Sequence, residues 1–124
     1  MKKVAFLFIL ILIVACKKKV ASNEQTTAKT AQTPEQLGRE IFEDKAGCVA
    51  CHQLDQKIVG PSIQEIAAAY KGKTGEMVTF LKGNGKPIVD PSQYDVMEAN
   101  FAITKAMTDA ELQGIEAYIS SQSK

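Results

Sequence analysis

Cys48-Val49-Ala50-Cys51-His52 is the stretch from which the rest of this chain is read. Two cysteines three apart, the second followed at once by histidine, form the signature of covalent haem attachment. On a helical turn, side chains at i and i+3 share a face. Two thiols placed that way can meet the two vinyl edges of a porphyrin and form thioethers, with the next imidazole under the iron. The spacing therefore predicts one haem c, held through Cys48 and Cys51, with His52 as an axial ligand. A thioredoxin-like redox pair would need a βαβ setting, and no strand pattern precedes Cys48. A structural zinc site would need four ligands. His52 is the only histidine, and Cys16 lies far off behind a polar linker.

The ends of the chain divide cleanly by composition. Lys2-Lys3 followed by the apolar run Val4 to Ala15 reads as an export signal, too short for a comfortable membrane span. Its end, Ile13-Val14-Ala15-Cys16, resembles a bacterial lipobox, which would make residues 1–15 a signal peptide and Cys16 the lipidated first residue. An ordinary secretory signal or an uncleaved anchor are the alternatives, and all three export the domain. The expected location is the periplasmic side of a bacterial membrane, lipid-anchored. Three cysteines are then accounted for: Cys16 for lipid, Cys48 and Cys51 for haem. Residues 17–33 are rich in Lys, Ser, Thr, Gln and Ala, so 16–33 reads as a lipidated cysteine with a flexible tether. The whole chain of 124 residues carries a formal charge of +1, but residues 34–124 hold nine Lys and Arg against thirteen Asp and Glu, hence −4. No clustered basic face points to a nucleic-acid partner.

Residues 34–124 read as one all-α domain of about four helices. Thr33-Pro34-Glu35-Gln36 is a capped start with proline at the first helical position. Leu37, Ile41 and Phe42 give that helix an apolar face. Gly38 lies within it and predicts close packing against another helix. Ala46-Gly47 ends the helix just before the haem motif. Ser62-Ile63-Gln64-Glu65 opens a second helix to about Tyr70, and a third is expected from about Thr74 to Lys82. Gly83 to Pro87 is a turn without the spacing of a phosphate loop. Residues 83–107 are expected to be largely loop, broken by Pro87 and Pro91. Thr108-Asp109-Ala110-Glu111 caps the last helix, which runs to about Ser120 with Leu112, Ile115 and Ile119 on one face.

With no second histidine, methionine is the natural sixth ligand, since a thioether suits haem iron and raises its potential. Met1 falls in the signal. Met77 shares a helix with Phe80 and Leu81 and reads as core filler. Met107 precedes the Thr108 cap and pairs with Leu112 as a hydrophobic staple. Met97 has no such structural role and is assigned as the ligand, with Met107, Met77 or no methionine ligand as the alternatives.

Taken together, residues 34–124 resemble a small class I monohaem cytochrome c. The pattern is a helix, Cys48-x-x-Cys51-His52, Gly60-Pro61, further helices, a loop methionine and a C-terminal helix. The resemblance implies a class I cytochrome c fold around one covalent haem. It implies that the first and last helices cross near Gly38, with the face around Ile115 and Tyr118 opposite. It also implies that the Pro61 carbonyl accepts the Nδ1–H of His52. In many family members proline follows the methionine, close to the last helix. Here Glu98 follows Met97, and Thr108 comes eleven positions later. The implied function is one-electron carriage rather than catalysis, with redox proteins such as a respiratory complex or a terminal oxidase or reductase as partners. The rival function is a haem enzyme or sensor with an open sixth site, peroxidase-like. It would need a distal acid–base group, and the only histidine is already used.

Overall fold

The computed structural model describes residues 31–124. The export signal, Cys16 and the tether up to residue 30 lie outside the described residues. Three helices begin with reciprocal capping. Thr33 Oγ1 accepts from Gln36 N–H while Gln36 Oε1 accepts from Thr33 N–H, and this starts α1 (Pro34–Glu40). Ser62 and Glu65 do the same for α2 (Ile63–Tyr70), as do Thr108 and Glu111 for α6 (Asp109–Ser121). Each pair satisfies two amide groups that a helix start otherwise leaves open.

Two features follow α1 before the haem motif. A π-helical turn, Ile41–Lys45, continues it, closed by Ala46 N–H donating to Ile41 O at 2.8 Å. Gly47 then takes φ 62° and stops it, a conformation that favours glycine. Between α2 and α6 lie α3 (Glu76–Leu81), α4 (Tyr94–Glu98) and α5 (Phe101–Thr104). The expectation of a largely irregular 83–107 segment is corrected here. It contains a 3₁₀ turn, Pro91–Gln93, and the two short helices α4 and α5. Neither short helix has a side-chain cap, which is why no start signal marks them. The third helix also starts two residues late, because Gly75 precedes it at φ 82°. Among the described residues there is no strand, only an isolated antiparallel bridge between His52 and Lys57.

The frame is the crossing of α1 and α6. A Cβ added to Gly38 would lie 1.8 Å from the Gly114 carbonyl oxygen, so the two backbones touch. Glycine costs helix stability by itself; here it permits a contact that no other residue allows. Around the crossing, Ile41, Phe42, Ile63, Leu112, Ile115 and Ile119 are buried. The Phe42 ring lies 5.6 Å from Tyr118 and 6.3 Å from His52, which links the frame to the haem motif. Burial of these side chains is the main source of stability.

Candidate haem-binding site

Cys48 to Ala50 forms a single 3₁₀ turn, with Cys51 N–H and His52 N–H both donating to Cys48 O. Cys48, Cys51 and His52 all line one large cleft. Cys48 and Cys51 are both half-buried at its wall, so their sulfur atoms are available to a group seated in the cleft. The chain then folds back on itself. Gly60 N–H donates to Cys51 O at 2.9 Å, and Ile63 N–H to Gln53 O at 2.8 Å. That fold-back carries Gly60-Pro61 to the His52 ring.

His52 Nδ1 lies 2.7 Å from the Pro61 carbonyl oxygen. A carbonyl only accepts, so Nδ1 carries the proton and Nε2 keeps its lone pair for a metal. A Cβ at Gly60 would come within 2.4 Å of the ring's Cε1 and 2.8 Å of Nδ1. Glycine at this position leaves the space that the imidazole fills. Gly60 and Pro61 therefore both meet the His52 ring.

The rest of the cleft is apolar and large, about 1180 Å³ including the open space at its mouth. Ile66, Tyr70, Met77 and Leu81 form one wall, Ile115 and Ile119 come from α6, and Ile88, Val89, Val96 and Met97 come from the 83–107 segment. Burial, helped by the Glu76 and Glu116 carboxylates, pushes the Tyr70 phenol up to about 12, so that wall is uncharged. Val59, Ile88, Val96 and Ile103 are exposed and all border the cleft. An exposed apolar set gathered at one opening needs an apolar occupant. A haem disc bonded to Cys48 and Cys51 would cover it, so the donor set and the walls both fit the cofactor.

Comparison with known proteins agrees with this geometry. Residues 35–123 match the Cytochrome c family. The chain belongs to the cytochrome c family. It is 34% identical over 95 residues to the cytochrome c-551 of Pseudomonas aeruginosa, spanning 74% of this chain and 79% of that protein. It is 43% identical over 61 residues to the cytochrome c-551 of Pseudomonas denitrificans, spanning 44% of this chain and 73% of that one. A shorter stretch of 31 residues is 61% identical to the cytochrome c2 of Rubrivivax gelatinosus, 25% of this chain and 36% of that one. The protein is thus an all-α, class I monohaem c-type cytochrome, a haem-based electron carrier. One haem c is attached through Cys48 and Cys51.

The cytochrome's methionines separate by position. Met77 is buried in α3 and also borders the cleft; Met97 is half-buried on α4 and borders it too. Met107 packs on the core cluster that contains Leu112 and is not part of the cleft lining, in keeping with a staple. Met97 was expected on a loop; it stands on a short helix instead.

Three features of the cytochrome have no local signature. Gly114, the partner of Gly38, looks like any helix-interior glycine, and only its position on the buried face of α6 could have pointed to it. Glu43 lies in the π-helical turn after α1. It accepts from the Tyr118 hydroxyl at 3.0 Å and from Arg39 Nε at 3.1 Å, across 75 residues of sequence in the first case. The Arg39 guanidinium and the Tyr118 hydroxyl hold its carboxyl below the usual range. Asp90, which lines the cleft, forms an ion pair with Lys57 across 33 positions.

Proposed function

We propose that this cytochrome c is a membrane-tethered one-electron carrier on the periplasmic side of a bacterial membrane, with His52 and Met97 as the axial ligands of its haem. The haem supplies a single electron exchange between Fe(III) and Fe(II). The observation that carries the reading is the fixed His52 ring, with Nδ1 held by Pro61 O and Gly60 leaving it room, in a cleft that Met97 also borders. A hydrogen bond to the distant nitrogen of a ligating histidine sets its orientation and raises its basicity. Met97 is the preferred second ligand because Met77 fills the core within α3 and Met107 packs away from the cleft. Histidine with methionine favours a positive potential.

The apolar walls keep water from the centre, which reduces the rearrangement that accompanies a change of charge there. The lipobox-like end at Cys16 supports a lipid anchor, and the polar residues 17–33 support a tether of about 20–25 Å typical span. Such a tether keeps the domain near the membrane and lets it turn. Its partners are redox proteins, a respiratory complex or a terminal oxidase or reductase. The −4 balance of residues 34–124 favours basic docking patches on them, for speed of encounter more than for affinity.

The far-red charge-transfer band of oxidised methionine-ligated haem tests the ligand. It is expected to vanish in Met97→Ala and to persist in Met107→Ala. Persistence in Met97→Ala would remove the assignment. Radiolabelled palmitate incorporation lost in Cys16→Ala tests the anchor, and unchanged labelling would exclude it.

A further inference from the structure

Lys57 Nζ lies 2.6 Å from Asp90 Oδ2. Asp90 lines the haem cleft, and Lys57 stands on the fold-back loop whose backbone bridges to His52. The Asp90 side chain is only 14% exposed, against 53% for Lys57. Its other oxygen accepts from Ser92 Oγ at 2.6 Å. Ser92 lies in the 3₁₀ turn Pro91–Gln93, and the next residue, Tyr94, opens α4. One carboxylate therefore fastens the start of the Met97 helix to the loop that carries His52.

This attachment matters because of what α4 lacks. It has five residues and no side-chain cap, far below the length at which a helix is stable by itself. Beyond its far end, α5 is tied to the body. Phe101 stacks edge-on to Phe80 at 5.3 Å, and the Thr104 hydroxyl donates to Leu81 O at 2.6 Å. At the near end of α4, Tyr94 touches Phe80 at 6.4 Å between ring centres. The Asp90 pair adds the tie to the loop that bridges to His52.

We infer that Lys57 and Asp90 are positioning residues: their ion pair clasps the cleft and keeps Met97 seated toward the iron. The inference rests on the Met97 ligation proposed above. When the clasp is open, the Met97 helix swings more freely and an external ligand competes better for the sixth position. The clasp acts on the ligand through seven residues of backbone, not by touching the haem.

Imidazole, which binds ferric haem in place of methionine, is the probe. Holoprotein is titrated at a temperature where far-ultraviolet circular dichroism is unchanged among the variants. Lys57→Gln and Asp90→Asn are each expected to raise imidazole affinity about fivefold, the scale of a partly exposed ion pair. The double variant should gain no more than the stronger single one, because each removes the same tie. Lys86→Gln removes a lysine near the cleft without touching the pair and is expected to leave the affinity unchanged. Unchanged affinity in both single variants, or additive gains in the double, would overturn the clasp. So would an equal gain in Lys86→Gln, which would make the effect one of net charge. Met97→Ala tells the two readings apart. If it raises imidazole affinity while the Lys57 and Asp90 variants do not, the clasp alone fails. If it binds imidazole no better than the native protein, Met97 is not the ligand and both fail.

Discussion

The crossing of α1 with α6 and the segment that carries Met97 are built by opposite means. At the crossing, Gly38 and Gly114 bring two backbones into contact, and both helices start with capping boxes. Such a contact has one geometry and resists deformation. From Ile88 to Thr104 the chain holds only a 3₁₀ turn and two uncapped helices of five and four residues. They are held by Phe80, by the Leu81 carbonyl and by the Lys57–Asp90 pair. A rigid frame fixes His52, and a lightly fastened arm carries Met97, the proposed second ligand. The frame depends on shape, and the arm depends on the cofactor and a few side-chain ties.

Removing the haem separates the two regions most strongly. In a Cys48→Ala/Cys51→Ala variant the cleft loses the disc that its apolar rim packs on, and the protein is expected to fold poorly. The arm should lose protection from hydrogen exchange first. Native helicity in that variant, read by circular dichroism, would show that the arm stands without the cofactor.

Gly38→Ala strikes the frame. A methyl group 1.8 Å from a backbone oxygen must push the helices apart, at a cost of about 3 kcal/mol. Denaturant unfolding of the holoprotein checks it, and a loss under 1 kcal/mol would mean that the crossing is looser than described. Gly60→Ala strikes the junction between frame and cofactor. Its Cβ would force the His52 ring to tilt, with about 1–2 kcal/mol of destabilisation and a weakened bond to Pro61 O. The imidazole resonances of the holoprotein should shift, whereas Gly72→Asn, at a glycine with open space around it and outside the cleft lining, should leave them in place.

Tyr118→Phe gives the smallest effect, about 1 kcal/mol for the lost bond to Glu43. Its pH signature has a definite sign. The Glu43 carboxyl titrates lower when folded than when unfolded, first because of Arg39 and then because of Tyr118. Its contribution is therefore complete above the ordinary carboxylate range and is lost as pH falls through the folded value. Tyr118→Phe should reduce that acid-side loss slightly, seen as a shallower fall of melting temperature below about pH 4.5, the usual glutamate range.

The same contrast explains what could be read in advance. Thr33, Ser62 and Thr108 announce their helices because a cap is a local bond between residues three apart. Cys48, Cys51 and His52 are legible for the same reason, as a motif confined to five positions. The α4 and α5 pieces were missed because tertiary packing against the cleft makes them, with Pro87 and Pro91 giving the opposite local signal. Glu43 with Tyr118, and Lys57 with Asp90, meet only once the chain is folded. The π-helical turn after α1 also carries no residue pattern of its own.

Potentiometry on the holoprotein tests the central claim most directly, that one haem held by His52 and Met97 carries one electron at a time. The native protein and Met107→Ala are expected to give the same single reversible one-electron wave at a positive potential, with Met97→Ala falling well below both. An irreversible wave, or a Met97→Ala potential equal to the native one, would contradict it.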